Sequence, residues 1–213
     1  MAAPSGPASR PSAARPVLLW DPIVRLTHWS IAIVVLLNAV LTEGGNSLHL
    51  WAGWAGLALL VLRLIWVGAG PTEARFSAFP PNPRAALAHL SALVAGRVRE
   101  HPTHNPAGAL MAYALWATLV VLSVTGLMMT GGKTPMQMDE IRASVAQGDW
   151  SVLVETEESG EKEEGLGKAA EEVHEVAGNL ILLLVLLHVA GVAVESRALR
   201  RSLVRPMLFG GRK

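Results

Sequence analysis

Four long apolar segments limit the fold of this 213-residue chain more than any other feature. Each is about long enough, as a helix, to cross a hydrocarbon layer of about 30 Å, which takes roughly 20 residues. Lipid offers no partner to an unpaired backbone group, so helices are the expected spanning form. We therefore predict an all-α membrane protein, a four-transmembrane-helix bundle with spans at Ile23–Thr42, Leu48–Val67, Pro106–Thr130 and Glu172–Val194.

Composition supports a membrane protein with one domain. Hydrophobic residues make up 51% of the chain and charged residues only 16%, against about 25% charged in an ordinary soluble domain. Residues 1–16 are small, polar and proline-rich, which predicts a disordered tail. They contain no apolar stretch, so no cleavable signal peptide is predicted. The membrane domain is then expected to cover residues 17–210.

The distribution of basic residues predicts the orientation of the bundle. Arginines and lysines are concentrated in the N-terminal region, in the loop between the second and third spans, and at the C-terminus. These regions share one side if the chain crosses four times, whereas residues 131–173 carry eleven acidic residues against four basic ones. Cytoplasmic loops are enriched in Lys and Arg. Both termini are therefore predicted to be cytoplasmic, and the acidic loop 131–171 periplasmic.

The acidic loop is glutamate-rich and is predicted to be flexible for much of its length. It is either a solvated connector or a docking surface for a basic partner such as a soluble cytochrome, to which acidic residues would steer the approach. The chain contains no cysteine. Disulfides, cysteine-ligated iron–sulfur clusters and thioether-attached haem are therefore excluded, and any haem must be held non-covalently.

Four of the seven histidines lie in or at the edge of the predicted spans, namely His28, His49, His174 and His188. A polar side chain at membrane depth is costly and is a candidate for a functional site. In the predicted topology, His28 and His188 lie near the cytoplasmic side, and His49 and His174 lie near the periplasmic side. His188 follows His174 by fourteen residues, which corresponds to about 21 Å along a helix.

The same spacing brings His174 and His188 to one face of the fourth span, because about 3.6 residues complete a helical turn. One helix can thus present an imidazole to each of two stacked haems, and imidazole suits iron. We predict two haems bound inside the bundle, one between His28 and His188 and one between His49 and His174. Iron ligated on both sides in this way has no open position, which suits electron transfer.

Two arginines are candidates for haem contacts. Arg63 follows His49 by fourteen residues and should lie on the same face, at the level of the His28/His188 haem, where it could pair with a propionate. A snorkelling arginine at a helix end is the alternative. Arg25 is near the same level and is either a second such partner or a charge that sets topology. For His104, before the third span, a structural or solvated role is favoured over quinone binding or proton transfer.

Four motifs in this order resemble the bacterial cytochrome b561 family, which includes the cytochrome b subunits of membrane-bound nickel–iron hydrogenases. The motifs are WDPIVRLTHW, LHLWAGWAGLALLVLRLIW, HNPAG and EEVHEVAGNLILLLVLLHVAGV. The resemblance covers about residues 17–210 without most of the acidic loop. In that family the first, second and fourth helices supply four haem-ligating histidines, which match His28, His49, His174 and His188 here.

The resemblance implies a multi-pass protein of a bacterial inner membrane with two b haems, embedded in lipid and exchanging electrons with ubiquinone or menaquinone. It also implies a periplasmic redox partner, which could be a cytochrome c, a hydrogenase or another dehydrogenase of a respiratory chain; no nucleic-acid partner is expected. An electron-transfer subunit is favoured over a stand-alone enzyme. The alternatives are a self-contained superoxide:quinone oxidoreductase that uses Lys133 to attract the anion, and a haem-free membrane scaffold or transporter.

Overall fold

The computed structural model of the chain describes residues 21–97, 100–101, 104–154 and 160–210. Within these residues, four helices are long and apolar enough to cross a membrane: Pro22–Leu41, Ser47–Ala69, Pro106–Met129 and Gly165–Ala198. The prediction of four spans is confirmed, and the chain is a multi-pass helical membrane protein. The predicted tail, residues 1–16, lies outside the described residues.

Eight α-helices are described. They are α1 Pro22–Leu36, α2 Ser47–Ala69, α3 Pro83–Val94, α4 Pro106–Met129, α5 Pro135–Ala146, α6 Ser151–Val154, α7 Gly160–Ala198 and α8 Val204–Phe209. The first span continues beyond α1 as a π-helix, Leu37–Leu41. Two short 3-10 turns, Thr72–Ala74 and Phe76–Ala78, connect α2 with α3.

Polar side chains fix where several of these helices begin. Asp21, Asn46, Asn82, Asn105 and Thr134 each accept a hydrogen bond from a backbone N–H in the first turn of the helix that follows. Such caps satisfy donors that have no partner inside the helix. Asp21 also connects the first two spans, because its carboxylate accepts a 3.0 Å hydrogen bond from the indole N–H of Trp66, near the end of α2.

The spans pack mainly as two pairs. Among the described residues, the backbones of α1 and α2 pack closely, as do those of α4 and α7, whereas α7 makes no extensive backbone contact with α1 or α2. Helix α3 packs on α4 and α5 packs on α2. We call the end of the bundle where α1 and α4 begin the terminal side (Pro22, Ala69, Pro106, Ala198). The opposite end is the loop side (Leu41, Ser47, Met129, Gly165).

The prediction of a mostly flexible acidic loop is wrong for residues 135–146, which form α5. Thr134 and Gln137 make a capping box at its start, and a proline occupies the first turn, so local sequence favours the helix. Side chains of α5 then bind the start of α2. Ser47 donates a 2.5 Å hydrogen bond to Asp139, and Arg142 donates a 2.8 Å hydrogen bond to the Ser47 hydroxyl.

Asp139 is the centre of this contact. Its carboxylate also accepts a hydrogen bond from the Trp51 indole at 3.4 Å and pairs with Arg142 at 3.3 Å. The hydrogen bond from Ser47, followed by those from Trp51 and Arg142, holds the pKa of Asp139 below its usual value. A lowered carboxyl pKa means that the contact is fully present above the usual pKa and is lost only as the pH falls through the lowered one.

We expect Asp139→Ala to speed trypsin cleavage after Arg142 by roughly threefold, because α5 loses its bonds to Ser47 and Trp51 and opens more often. The measurement is the rate of appearance of the two fragments from the full chain in detergent. Glu140→Ala is the matched control, since Glu140 is the neighbouring exposed carboxylate. Equal cleavage rates for both variants and the parent would contradict the role of Asp139.

Candidate functional site

The four histidines of the spans meet in two pairs across the bundle. The ring centroids of His28 and His188 are 6.3 Å apart, with an angle of 54° between the planes. Those of His49 and His174 are 6.2 Å apart at 66°. The structure thus brings together the same partners that the depth argument from the sequence predicts.

The pairs lie at opposite ends because α7 supplies one member of each. His188 is near the end of α7 on the terminal side and faces His28 of α1. His174 is fourteen residues back toward the loop side and is paired with His49, in the first turn of α2. All four histidine side chains are half-buried, so the helices enclose each imidazole only in part.

Threonine hydroxyls lie beside the imidazoles of the loop-side pair. The Thr125 hydroxyl has one hydrogen, which it donates to the Val121 carbonyl oxygen at 2.8 Å. Thr125 Oγ1 also lies 2.8 Å from His174 Nδ1. While the hydroxyl hydrogen is directed to Val121, Oγ1 accepts from Nδ1–H, a tautomer in which the lone pair of Nε2 is free to bind a metal.

His49 is held in a similar way from the first span. Thr42 lies just after the π-helix and donates its hydroxyl hydrogen to the Asn38 carbonyl oxygen at 3.3 Å. The same oxygen is 3.4 Å from His49 Nδ1, so it too can act as an acceptor there. Metal-ligating histidines usually donate their other ring N–H in this manner, which fixes the tautomer and the ring orientation.

The third span contributes no histidine but shapes the loop-side pair. Next to Thr125, Gly126 lets the His174 ring lie against the backbone of α4: a Cβ on this glycine would be 3.5 Å from His174 Cε1. Close contact between α4 and α7 thus positions a ligand candidate that α4 does not itself carry.

The terminal-side pair has a different environment. His28 Nδ1 is buried and has no hydrogen-bond partner among the described residues. The Trp29 ring meets the His28 ring edge-on, with centroids 5.3 Å apart. A buried imidazole nitrogen without a partner is costly in an apolar setting, so this pair is incomplete as a purely protein structure.

The geometry of both pairs fits haem. Two imidazoles bound about 2 Å from one metal, on opposite sides, have ring centres about 6 Å apart. Each pair supplies two nitrogens, which is the number that porphyrin iron needs beyond those of the macrocycle. The limited packing of α7 with α1 and α2 leaves the histidines to approach each other across a gap between helices. Beside His174, a Cβ at Gly178 would meet no atom within 4 Å.

Arg63 is buried rather than snorkelling to the surface, with only 5% of its area exposed. One terminal nitrogen, Nη2, donates to the Ala74 carbonyl oxygen at 3.0 Å. The guanidinium carbon lies 5.7 Å from the Phe76 ring centre and 5.8 Å from that of Trp116. The other terminal nitrogen, Nη1, is buried without a hydrogen-bond partner in the described structure. An unsatisfied cationic donor of this kind suits a propionate.

Arg25 binds the C-terminal helix. Its Nε donates to the Met207 carbonyl oxygen at 3.2 Å, and its Nη2 donates to the Leu208 carbonyl oxygen. The Trp29 indole reaches the same Met207 carbonyl oxygen at 3.2 Å. Arg25 thus has a structural role in holding α8 against the start of α1, and its part in binding a propionate stays a prediction.

His104 lies just before α4, on the terminal side. Burial, and then the positive charge of Arg63, lower the pKa of His104 to about 4. Its ring lies 4.2 Å from that of Phe79, at an angle of 33°. At neutral pH this side chain is therefore a neutral, stacked imidazole, which agrees with the structural role favoured from the sequence.

Sequence reasoning missed Thr42 and Thr125 beside the loop-side pair. It also missed Glu195, a buried carboxylate on α7 that contacts Asn105 and His89. The threonines reach the histidines through the packing of α4 and through the π-helix, which no pattern in the sequence indicates. Glu195 could have been found, because it follows His188 by seven residues and so shares its helix face. It lies one residue beyond the predicted end of the fourth span.

Comparison with known proteins identifies the family of the chain. A family model described as prokaryotic cytochrome b561 matches residues 19–210. The matched region includes all four histidines and both arginines. No curated protein and no solved structure matches the chain. The family resemblance seen in the sequence motifs is thereby confirmed.

We expect Thr125→Val to weaken haem binding at the loop-side pair by about tenfold, the lower end of the cost of losing a partner behind a metal ligand. Valine keeps the shape of threonine but cannot accept a hydrogen bond from His174 Nδ1. The measurement is haem retained per chain on titration with apomyoglobin as a haem acceptor. Thr118→Val is the matched control, since Thr118 is buried two turns earlier on α4 and its hydroxyl bonds only the Ala114 carbonyl oxygen among the described residues. A loss equal to that of the control would contradict the tautomer argument.

Proposed function

The chain belongs to the prokaryotic cytochrome b561 family of membrane-bound b-type electron-transfer cytochromes, and on this premise we propose that it carries electrons between a periplasmic redox protein and the quinone pool through two b haems. The terminal-side haem is held by His28 and His188, and the loop-side haem by His49 and His174. The observation that carries the proposal is the pair of centroid distances, 6.3 and 6.2 Å, at two depths of one bundle.

The haems would supply reversible one-electron chemistry, and the residues of the chain hold and tune it. Each iron would be held by two imidazoles, which would leave no ligand position for oxygen and would favour electron transfer over oxygen chemistry. The Thr125 and Thr42 hydroxyls orient the loop-side imidazoles, while the buried Nη1 of Arg63 offers a charge-assisted hydrogen bond to a propionate on the terminal side. The lipid-facing apolar helices exclude water from both sites.

In the proposed orientation the terminal side is cytoplasmic and the membrane is the bacterial inner membrane. The concentration of basic residues in the N-terminal region, the loop between α2 and α4, and the C-terminus supports this orientation. The loop side, with α5 docked over the start of α2, would then face a periplasmic partner. A reporter enzyme active only in the cytoplasm, fused after Lys213, should be active, and the same reporter inserted at Gly148 should be inactive.

Haem content tests the proposal. The purified full chain should contain two haem b per chain by pyridine haemochrome. His188→Ala and His28→Ala should each lose the same haem, because each removes one axial ligand of one site, while His174→Ala should lose the other. His101→Ala, outside the spans, should keep both. If single substitutions at His28 and His188 remove different haems, the pairing is wrong.

Quinone coupling needs a separate readout. A reduced short-chain quinol should reduce the haems of the purified protein within the mixing time of a stopped-flow experiment, and the His188→Ala variant should be slowed at least tenfold, since the terminal-side haem would be the first acceptor. Reduction by dithionite controls for haem that is present but inaccessible. A parent protein whose haems respond to dithionite but not to any quinol would contradict exchange with the quinone pool.

A further inference from the structure

A buried carboxylate lies beyond the terminal-side histidine pair. Glu195, near the end of α7, is only 8% exposed. The amide of Asn105, the capping residue of α4, donates a hydrogen bond to Oε2, and His89 Nε2 of α3 lies 3.7 Å from Oε1. We call Glu195, His89, Asn105 and His101 the Glu195 cluster.

The cluster is suited to holding a proton in more than one place. An ionised carboxylate out of water is costly unless a cation or strong donors face it, and here one neutral amide and one imidazole do so. His89 Nε2 is buried and has no hydrogen-bond partner among the described residues. The 3.7 Å separation from Oε1 is longer than a hydrogen bond, so a small movement or a bridging water would complete the transfer path.

The position of Glu195 couples it to the terminal-side pair. It follows His188 by seven residues, which is two helical turns, on the same face and about 10 Å further along α7. At this distance, in a low-dielectric interior, charges are screened far less than in water. A change of charge at the His28/His188 site is therefore felt at the Glu195 carboxylate.

A line of side chains leads from the cluster to the surface. The ring of His89 lies 5.3 Å from that of His101. The neighbour of His101, Glu100, has a side chain 65% exposed and lies 3.7 Å from Arg201. Two neighbouring imidazoles thus lie beside the buried carboxylate on the terminal side.

We propose that Glu195 and His89 form a redox-linked proton-binding site: one electron accepted at the His28/His188 site is accompanied by uptake of one proton by the Glu195 cluster. The electron comes from the redox partner and the proton from the aqueous phase on the terminal side, and both leave when the site is reoxidised. This inference rests on the proposed haem at His28 and His188. It does not depend on which quinone, or whether any quinone, is the electron acceptor.

Other charged groups near the Glu195 cluster contribute to the electrostatic potential at the carboxylate. Among the described residues of α3, the connection to α4, the end of α7 and the turn after it, His89 is within ion-pair distance of the carboxylate. The other titratable and charged groups there are Arg84, Arg97, Glu100, His101, His104, Arg197, Arg200 and Arg201.

Redox titration of the full, haem-loaded protein at several pH values tests the proposal. The component assigned to the terminal side is the one that His188→Ala removes. In the parent, its midpoint potential should fall as pH rises, by up to about 59 mV per pH unit, the value for one proton per electron. In Glu195→Gln, which keeps an acceptor oxygen for Asn105, the dependence should disappear while the haem content stays the same.

Two more variants keep the test decisive if the glutamine variant folds poorly. Glu195→Asp keeps an acid and should keep the pH dependence, and His89→Gln should weaken it. Glu100→Gln is the matched control, because it removes an exposed carboxylate on the same side and should leave the slope unchanged. A second readout is proton uptake on reduction, measured with a pH dye in weakly buffered detergent solution.

The outcomes separate this inference from the proposed function. A protein without haem overturns the proposed function and this inference with it. A parent with both haems but a pH-independent terminal-side potential overturns only the proton-binding site. A slope that persists in both Glu195→Gln and His89→Gln assigns the proton to another group and also overturns it.

Discussion

An imidazole nitrogen inside a lipid-embedded bundle must find its partner within the protein, and most of this structure depends on that requirement. Hydrocarbon offers no hydrogen bond, so each polar atom left alone is costly. At the loop side the requirement is met for the outer nitrogens by Thr42 and Thr125. The rings of the two pairs lie 6.3 and 6.2 Å apart, centre to centre, a separation that fits the haems proposed for them.

The long helix α7 organises both sites because it carries one histidine of each pair and Glu195 on one face. Its closest partner, α4, contributes no histidine. Helix α4 instead supplies the hydroxyl, the glycine and, through its capping Asn105, the amide that surround side chains of α7. Ligands and their supports thus come from different helices, so each can change without removing the other.

Much of this could be predicted from the sequence, for reasons that the residues make plain. The spans follow from their apolar length, and the two pairs follow from the fourteen-residue spacing on one helix together with the alternation of topology. The threonine contacts could not be predicted, because they depend on how α4 rotates against α7 and on a π-helix with no sequence signature. Helix α5 could have been predicted, because Thr134 and Gln137 form a capping-box pattern with Pro135 in the first turn. The many acidic residues of the same loop instead led to the prediction of a flexible segment.

The π-helix at Leu37–Leu41 is the last turn of the first span, and Thr42 directly after it is extended. A π-turn takes in one more residue than an α-turn, and each residue turns the chain by about 100° around the helix axis, so the π-helix changes where the chain leaves the span. His28 lies before the π-helix and Thr42 lies after it. An insertion or deletion in this last turn would therefore move the Thr42 hydroxyl relative to His49, while His28, about three turns earlier in the uninterrupted α1, would stay in register.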